Sequence, residues 1–167
     1  MEINHHELSL FQKILLATDG TVTDLVALYT GEAIRVKKLE QNIRDGIAPA
    51  ILQCDVTTRL LNRQILLSGV NRNYLYADSL FVFERFSKAI QEQLLTTDRS
   101  IGLIWKEQRL ETHREIIEQK IEFCAEIAAH FSVPETAPFV SRTYLIHHAG
   151  NPLGAIMEKW PLSYFRD

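Results

Sequence analysis

The stretch LLNRQILLSG, residues 60–69, predicts a β-strand that carries one unexpected charge. Side chains alternate between the two faces of a strand, so Leu61, Arg63, Ile65 and Leu67 share one face, which is apolar apart from the arginine. A guanidinium keeps its proton, and burying it is costly unless an anion meets it. The strand therefore raises the question of which negative group faces Arg63.

The segments around this strand predict one α+β domain, residues 1–167, built on an antiparallel sheet. A second strand follows the turn-prone VNRN and pairs with the first as a hairpin. That second strand is the alternating segment 74–83. Further strands are predicted over 33–43 and in a last hairpin over 139–162 that turns at AGNP. The segments with helical spacing are 8–17, 24–31 with Thr23 as its cap, 84–98 and a long amphipathic helix over roughly 108–131.

The composition narrows the class of protein. The chain has 167 residues and a formal net charge of −3, from 18 basic and 21 acidic side chains, so no basic patch for nucleic acid is expected. Only Cys54 and Cys124 are present, far apart, which fits a reducing compartment. The N-terminal segment resembles neither a signal peptide nor a membrane span. We predict a cytoplasmic protein without an integral membrane segment.

Motifs for several kinds of catalysis are absent from the sequence. It contains no GxSxG elbow, no glycine-rich phosphate loop and no HExxH. His147 and His148 are neighbours on a predicted strand and point to opposite faces, so they are poorly placed to share one metal ion. These patterns disfavour metal-dependent, nucleotide-dependent and covalent catalysis.

The final strand repeats the anomaly of the first, because Glu158 lies between Ile156 and Trp160 on one strand face. Arg63 and Glu158 could pair with each other inside the sheet, as buried charges usually do. Alternatively, they stand apart and bind opposite ends of a small ligand.

Several short motifs, in order, resemble the chorismate pyruvate-lyase family (4-hydroxybenzoate synthases), in the branch found in cyanobacteria, other bacteria and archaea. The resemblance covers residues 8–165 and rests on GTVTDLVALYTGEAIRVKKLEQ, NRQILL, YADSL, IGLIW, RLETHREI and SRTYLIHHAGNPLGAIMEKWP. It implies an antiparallel sheet with helices packed on it and two helical flaps closed over a buried pocket. It also implies cofactor-free conversion of chorismate to 4-hydroxybenzoate and pyruvate, with the benzoate entering ubiquinone or plastoquinone synthesis. We expect a monomer whose partners are this substrate and this product.

The resemblance assigns roles residue by residue. Arg63 matches the arginine that holds the ring carboxylate, which a planar guanidinium suits as a two-pronged donor. Glu158 matches the glutamate near the ring hydroxyl, and these two are the predicted catalytic residues. The other predicted substrate-binding residues are the backbone amides near Ile34 and at Ile101 or Gly102, and either Arg114 or Arg142 for the enolpyruvyl carboxylate.

We also predict that Arg63 and Glu158 contact opposite ends of the ligand and do not pair directly, because both lie on apolar strand faces and a benzoate bound lengthwise would meet each with a different polar group. Two other classes of function stay open. Effector domains of certain bacterial transcription regulators share this fold, so the domain could sense an aromatic acid without catalysis. In a plain interaction module, Arg63 and Glu158 would be a structural pair.

Overall fold

A computed structural model describes residues 1–54 and 56–167. The strands are β1 (Arg35–Ile47), β2 (Thr57–Ser68), β3 (Asn73–Val82), β4 (His113–Phe123), β5 (Pro138–His148) and β6 (Asn151–Pro161). The α-helices are α1 (Leu10–Ala17), α2 (Val22–Thr30), α3 (Lys88–Thr96), α4 (Ile101–Glu107) and α5 (Ala125–Ala128). Short 3-10 turns lie at His5–Glu7, Ala50–Leu52, Phe83–Arg85 and Ala129–Phe131.

In the described part of the chain, the six strands form one antiparallel sheet in the order β1-β2-β3-β6-β5-β4. The predicted α+β class is confirmed, and both predicted hairpins are present. The chain returns from β3 through α3 and α4 to β4 at the far edge, and the β5–β6 hairpin then fills the space between β4 and β3. Arg63 on β2 and Glu158 on β6 are thus separated by β3, which spaces their strands by roughly 10 Å.

The turn of the β5–β6 hairpin decides where Glu158 lies. Ala149 and Gly150 both have positive φ, 49° and 80°, as a two-residue hairpin turn requires. His147 then pairs with Pro152, but Ile146 pairs with Gly154, so Leu153 is one extra residue in β6. This bulge shifts the pairing that follows by one position, and it brings Glu158 directly opposite Arg142.

The first two helices form a hairpin that begins and ends with recognisable signals. Ser9 and Gln12 form a capping box at the start of α1, an arrangement that stabilises a helix by about 1 kcal/mol. The buried Gln12 amide also donates to the carbonyls of Leu162 and Tyr164, which attaches α1 to the C-terminal segment. The helix α2 starts after Thr21, two residues before the predicted cap, and ends at Gly31 with φ 69°.

The predicted long helix over 108–131 is wrong. Residues 113–123 form the edge strand β4, and only the short α5 and one 3-10 turn follow it. His113 therefore begins a strand, and Cys124 is a buried residue between β4 and α5. A bulge between Ile116 and Glu118 adds one residue to the strand, which breaks its alternation and imitates helical spacing.

The main core lies between one face of the sheet and the helices. It includes Leu15, Val26, Leu94 and Ile104 from the helices, all fully buried. A smaller apolar cluster packs on the opposite face around Leu52. Across residues 1–54 and 56–167, no helix is long and apolar enough to cross a membrane.

Candidate active site

A cavity lies between the helix-covered face of the sheet and the first turns of α2 and α4. It encloses about 540 Å³ of empty space, including its open mouth. Its charged lining residues are Arg63, Arg114 and Glu158. The rest of the lining is mainly apolar or small, and it comprises Thr21, Val22, Thr23, Ile65, Leu67, Leu75, Ala77, Ser79, Ser100, Ile101, Gly102, Trp105, Tyr144 and Ile156.

Arg63 is placed by β2 with only 1% of its surface exposed. Its Nη2 donates to the backbone carbonyl of Arg99, 2.9 Å away, just before α4. Nε and Nη1 are buried and have no hydrogen-bond partner among the residues that the structure describes. Burial lowers the pKa of this guanidinium, and the charge of Asp98 opposes that effect only in part. The arginine is therefore a buried cation with free donors.

Two residues of β5 donate hydrogen bonds to the Glu158 carboxylate. Nε of Arg142 donates to Oε2 and the phenol of Tyr144 donates to Oε1, each over 2.7 Å. Burial disfavours the charge of Arg142, but Glu158 and Tyr144 together outweigh it and the pKa of Arg142 is raised. Arg142 also donates to the carbonyls of Leu16 and Thr18, at the end of α1. The carboxylate is thus fixed in direction while it remains part of the cavity wall.

Arg114 enters the cavity from the edge strand β4. Its guanidinium carbon lies 4.9 Å from the centre of the Tyr144 ring, within the range of a cation–π contact. Its Nη1 is buried and has no partner within the described ranges. Its backbone N–H donates to Oδ1 of Asp19, which connects β4 to the α1–α2 turn. Arg114 therefore offers a second free donor, across the sheet from Arg63.

The first turns of α2 and α4, called the flaps below, meet above the cavity. A Cβ at Gly102 would lie 3.0 Å from Cγ2 of Thr21, so the start of α4 touches the start of α2 there. Lys106 and Asp24 face each other across the same contact at 4.0 Å, both largely exposed. The flaps are thus in contact, and the α2 N-terminus points positive backbone dipoles at the cavity.

The charges at the cavity are unbalanced. Two guanidinium groups, those of Arg63 and Arg114, line the cavity with one carboxylate, that of Glu158, and this carboxylate is already paired with Arg142. Each of the three arginines retains at least one buried N–H without a protein acceptor in the described part of the chain. Such groups are costly unless an anion satisfies them. The cavity is therefore suited to an aromatic or alicyclic dianion.

The structure brings most of the predicted site residues together. Arg63, Ile101, Gly102, Arg114 and Glu158 all line the cavity, and Glu158 pairs with Arg142, not with Arg63. The two remaining residues lie elsewhere, Arg142 behind Glu158 and Ile34 ahead of β1, where it packs against the core. The bulged hairpin sets Arg142 opposite the Glu158 carboxylate, and of the predicted alternatives Arg114 and Arg142 only Arg114 lines the cavity.

Sequence reasoning missed Tyr144. It is 1% exposed and lies on the same strand face as Arg142, two residues away. Burial, and then the neighbouring Glu158 charge, raise the pKa of Tyr144 well above its ordinary value, so it stays a hydrogen-bond donor. The signal was available in the spacing Arg-Thr-Tyr, but a tyrosine among apolar strand residues does not stand out as an isolated charge does.

The histidines of the β5–β6 hairpin point to separate partners. The His147 ring contacts a carboxylate oxygen of Glu115, and His148 contacts the carbonyl of Glu111. Within residues 1–54 and 56–167, no three metal-ligating side chains are clustered closely enough to hold an ion.

Comparison with known proteins adds sequence and fold relationships. Residues 16–166 match the family model described as "Chorismate pyruvate-lyase Rv2949c-like". A chorismate pyruvate-lyase of Mycobacterium leprae is 32% identical over 162 residues, 93% of this chain and 76% of the relative. The chorismate pyruvate-lyase of Mycobacterium tuberculosis is 27% identical over 165 residues, 93% of this chain and 81% of the relative.

Among solved structures, PhnF from Mycobacterium smegmatis has a TM-score of 0.68 at 12% identity, over 87% of this chain and 65% of that chain. Its effector domain alone has a TM-score of 0.65 at 12% identity, over 85% of this chain and 88% of that chain. These two likenesses concern the fold.

Proposed function

The chain belongs to the Rv2949c-like chorismate pyruvate-lyase family, and on that premise we propose that it converts chorismate to 4-hydroxybenzoate and pyruvate. One observation supports this most: Arg63 and Arg114 both line the cavity and retain free donors, while the Glu158 carboxylate is already paired with Arg142. Chorismate carries two carboxylates, one on its ring and one on its enolpyruvyl group. A dianion would match both the charge and the free donors.

The proposed binding mode follows from where the donors lie. The ring carboxylate meets Arg63 and the backbone amides of Ile101 or Gly102, at the start of α4. The ring lies against the apolar lining, and its hydroxyl meets Glu158. The enolpyruvyl carboxylate meets Arg114, and Arg142 serves instead to hold Glu158. Ile34 has no part in this mode, because it lies outside the cavity lining.

The reaction needs little from the protein beyond a prepared cavity. The C3–O bond of chorismate breaks, the hydrogen on C4 leaves, and the ring becomes aromatic; the released fragment takes up a proton and becomes pyruvate. Negative charge grows on the ether oxygen as this bond breaks. A fixed guanidinium in a cavity with little water stabilises that charge, and close packing holds the reactive conformer. Arg114 is the residue placed for this role in the proposed mode.

Incubation of the purified protein with chorismate tests the proposal directly. We expect 4-hydroxybenzoate and pyruvate in equal amounts, measured by chromatography and by reduction of pyruvate with lactate dehydrogenase. Binding of 4-hydroxybenzoate without turnover of chorismate would favour the sensing alternative. Neither binding nor turnover would leave the charged residues as structural groups.

Two finer parts of the proposal follow from the family resemblance. The reaction requires no cofactor, so treatment with EDTA should leave the rate unchanged; loss of activity that zinc or magnesium restores would contradict this. The product enters ubiquinone or plastoquinone head-group synthesis, so a strain that lacks the gene should recover quinone when 4-hydroxybenzoate is supplied. A deficiency that 4-hydroxybenzoate leaves uncorrected would contradict the pathway assignment.

A further inference from the structure

We propose that Tyr144 is a positioning residue that makes the site selective for ligands with a hydroxyl opposite their carboxylate, and that it acts through Glu158. This inference rests on the proposed function, because it concerns the same cavity. Tyr144 itself is part of the cavity wall and is almost completely buried.

The first observation is that both oxygens of Glu158 have a donor on the protein side. Tyr144 donates to Oε1 and Arg142 donates to Oε2, each over 2.7 Å. A carboxylate oxygen can accept about two hydrogen bonds. Tyr144 takes one acceptor position of Oε1. The second acceptor position of this oxygen then has a fixed direction at the cavity wall.

The second observation is that the Tyr144 ring is itself held in place. The guanidinium carbons of Arg142 and Arg114 lie 4.8 Å and 4.9 Å from its centre. Cations near the face of a phenol ring attract it, and more so where water is excluded. The ring therefore has contacts with a guanidinium on each of two strands, and its hydroxyl has little freedom to leave Glu158.

The third observation concerns the proton. Burial raises the pKa of the Tyr144 phenol, and the adjacent Glu158 carboxylate raises it further. Tyr144 therefore keeps its proton and remains a donor to Glu158. Because a carboxylate oxygen only accepts hydrogen bonds, a ligand group must bring a proton in order to bond there. A ligand hydroxyl can do so, whereas a bare ring position cannot.

The consequence is selectivity. A site built to accept a hydrogen bond from a hydroxyl rejects the analogue that lacks it, because a buried acceptor would be left unpaired. Without the Tyr144 hydroxyl, the Glu158 carboxylate is free to turn away from the ligand. The preference for the hydroxylated ligand should then decrease.

The test compares 4-hydroxybenzoate with benzoate by isothermal titration calorimetry. We expect the wild-type protein to bind 4-hydroxybenzoate more tightly. In Tyr144→Phe, this preference should fall roughly fivefold to tenfold, the effect of one hydrogen bond, while benzoate affinity changes less than about twofold. With chorismate, kcat should fall more than KM changes. Tyr76→Phe is the matched control, because Tyr76 is buried outside the cavity lining and should leave the preference unchanged.

A double-mutant cycle separates a residue that acts through Glu158 from one that merely packs. In a Glu158→Gln background, Tyr144→Phe should no longer change the preference. If Tyr144→Phe does not fold, 4-aminophenylalanine at position 144 keeps a donor at the same point, and it should preserve the preference.

Three results would overturn the inference: an unchanged preference in Tyr144→Phe, an equal loss of both ligands, or a full effect that persists without Glu158. A wild-type protein that binds neither acid would instead refute the proposed function, and the inference with it.

Discussion

Arg63 and Arg142 are both buried on the same face of one sheet, yet their guanidinium groups have different hydrogen-bond partners. Arg142 has a carboxylate on Nε and two backbone carbonyls on Nη1, and only its Nη2 lacks a partner in the described residues. Arg63 has one carbonyl and two donors without a protein acceptor in the described residues. Accordingly, burial is outweighed at Arg142, where Glu158 and Tyr144 together raise the pKa, whereas burial lowers the pKa of Arg63.

This difference teaches how to separate a structural charge from a functional one. A buried cation that the fold pairs with an anion contributes to the arrangement of its neighbours. A buried cation that the fold leaves without a paired anion reduces stability unless a ligand supplies the anion. The four predictions that follow test this difference between Arg142 and Arg63.

The largest expected effect is on stability. Arg142→Met leaves Glu158 buried without its cation, so we expect a loss of about 3–5 kcal/mol in the free energy of unfolding. Arg63→Met removes an unpaired charge, so we expect no loss and a gain of up to about 2 kcal/mol. Urea unfolding at pH 7 measures both. Equal losses in the two variants would remove the distinction between the two arginines.

The next effect is on turnover. Glu158→Gln keeps the size and removes the charge, so we expect kcat for chorismate to fall by roughly 10²–10³, as for loss of a fixed electrostatic group. The binding of benzoate should change much less, because benzoate has no hydroxyl to meet Glu158. A folded variant with nearly normal kcat would show that Glu158 stabilises the fold and has no part in turnover.

A smaller effect concerns binding at the unsatisfied arginine. Arg63→Ala should weaken 4-hydroxybenzoate binding by roughly 1.5–3 kcal/mol, the range for a hydrogen bond to a charged group. Arg63→Lys should recover only part of it, because an ammonium lacks the two-pronged geometry. Calorimetry on variants with wild-type urea midpoints measures this. Unchanged affinity in Arg63→Ala would assign the arginine to the scaffold.

The smallest effect is the pH dependence of stability that Tyr144 contributes beside the Arg142–Glu158 pair. An unfolded tyrosine loses its proton near pH 10, whereas folded Tyr144, beside Glu158, Arg142 and Arg114, keeps its proton to higher pH. The stability from this phenol is fully present below about pH 10 and is lost as the pH rises further. Urea unfolding at pH 9 and pH 10.5 should show a smaller decrease for Tyr144→Phe than for wild type. An identical decrease would contradict the raised pKa.

Much of the fold could be predicted because its signals are local. The hairpins, the first two helices and the edge strand β1 follow from alternation, turn residues and caps. The strand β4 could not be predicted, because the bulge at Ile117 breaks its alternation, so that Ile117, Ile121 and Cys124 recur at intervals of four and three residues among charged residues of the exposed edge. That pattern is the pattern of an amphipathic helix.

The site was predictable to the extent that its residues are anomalous in sequence. Arg63 and Glu158 stand out as charges among apolar strand neighbours. The partner of Glu158 could not be predicted, because pairing Arg142 with it requires knowledge of the bulge at Leu153. Tyr144 carries no anomaly at all, and its importance emerges only from the hydrogen bond to Glu158.

The extra residue Leu153 also determines which mutations this hairpin can accept. Deletion of Leu153 would remove only the extra residue, so the pairs Ile146–Gly154 and Arg142–Glu158 would remain. Deletion of Met157, in the regular part of β6, would instead move Glu158 to the opposite face of the sheet. A Cβ at Gly154, next to Leu153, would lie 2.5 Å from the carbonyl oxygen of Leu80, so this position resists any side chain. In a library of single-residue deletions, β6 should therefore tolerate loss of the extra residue Leu153 better than loss of Met157.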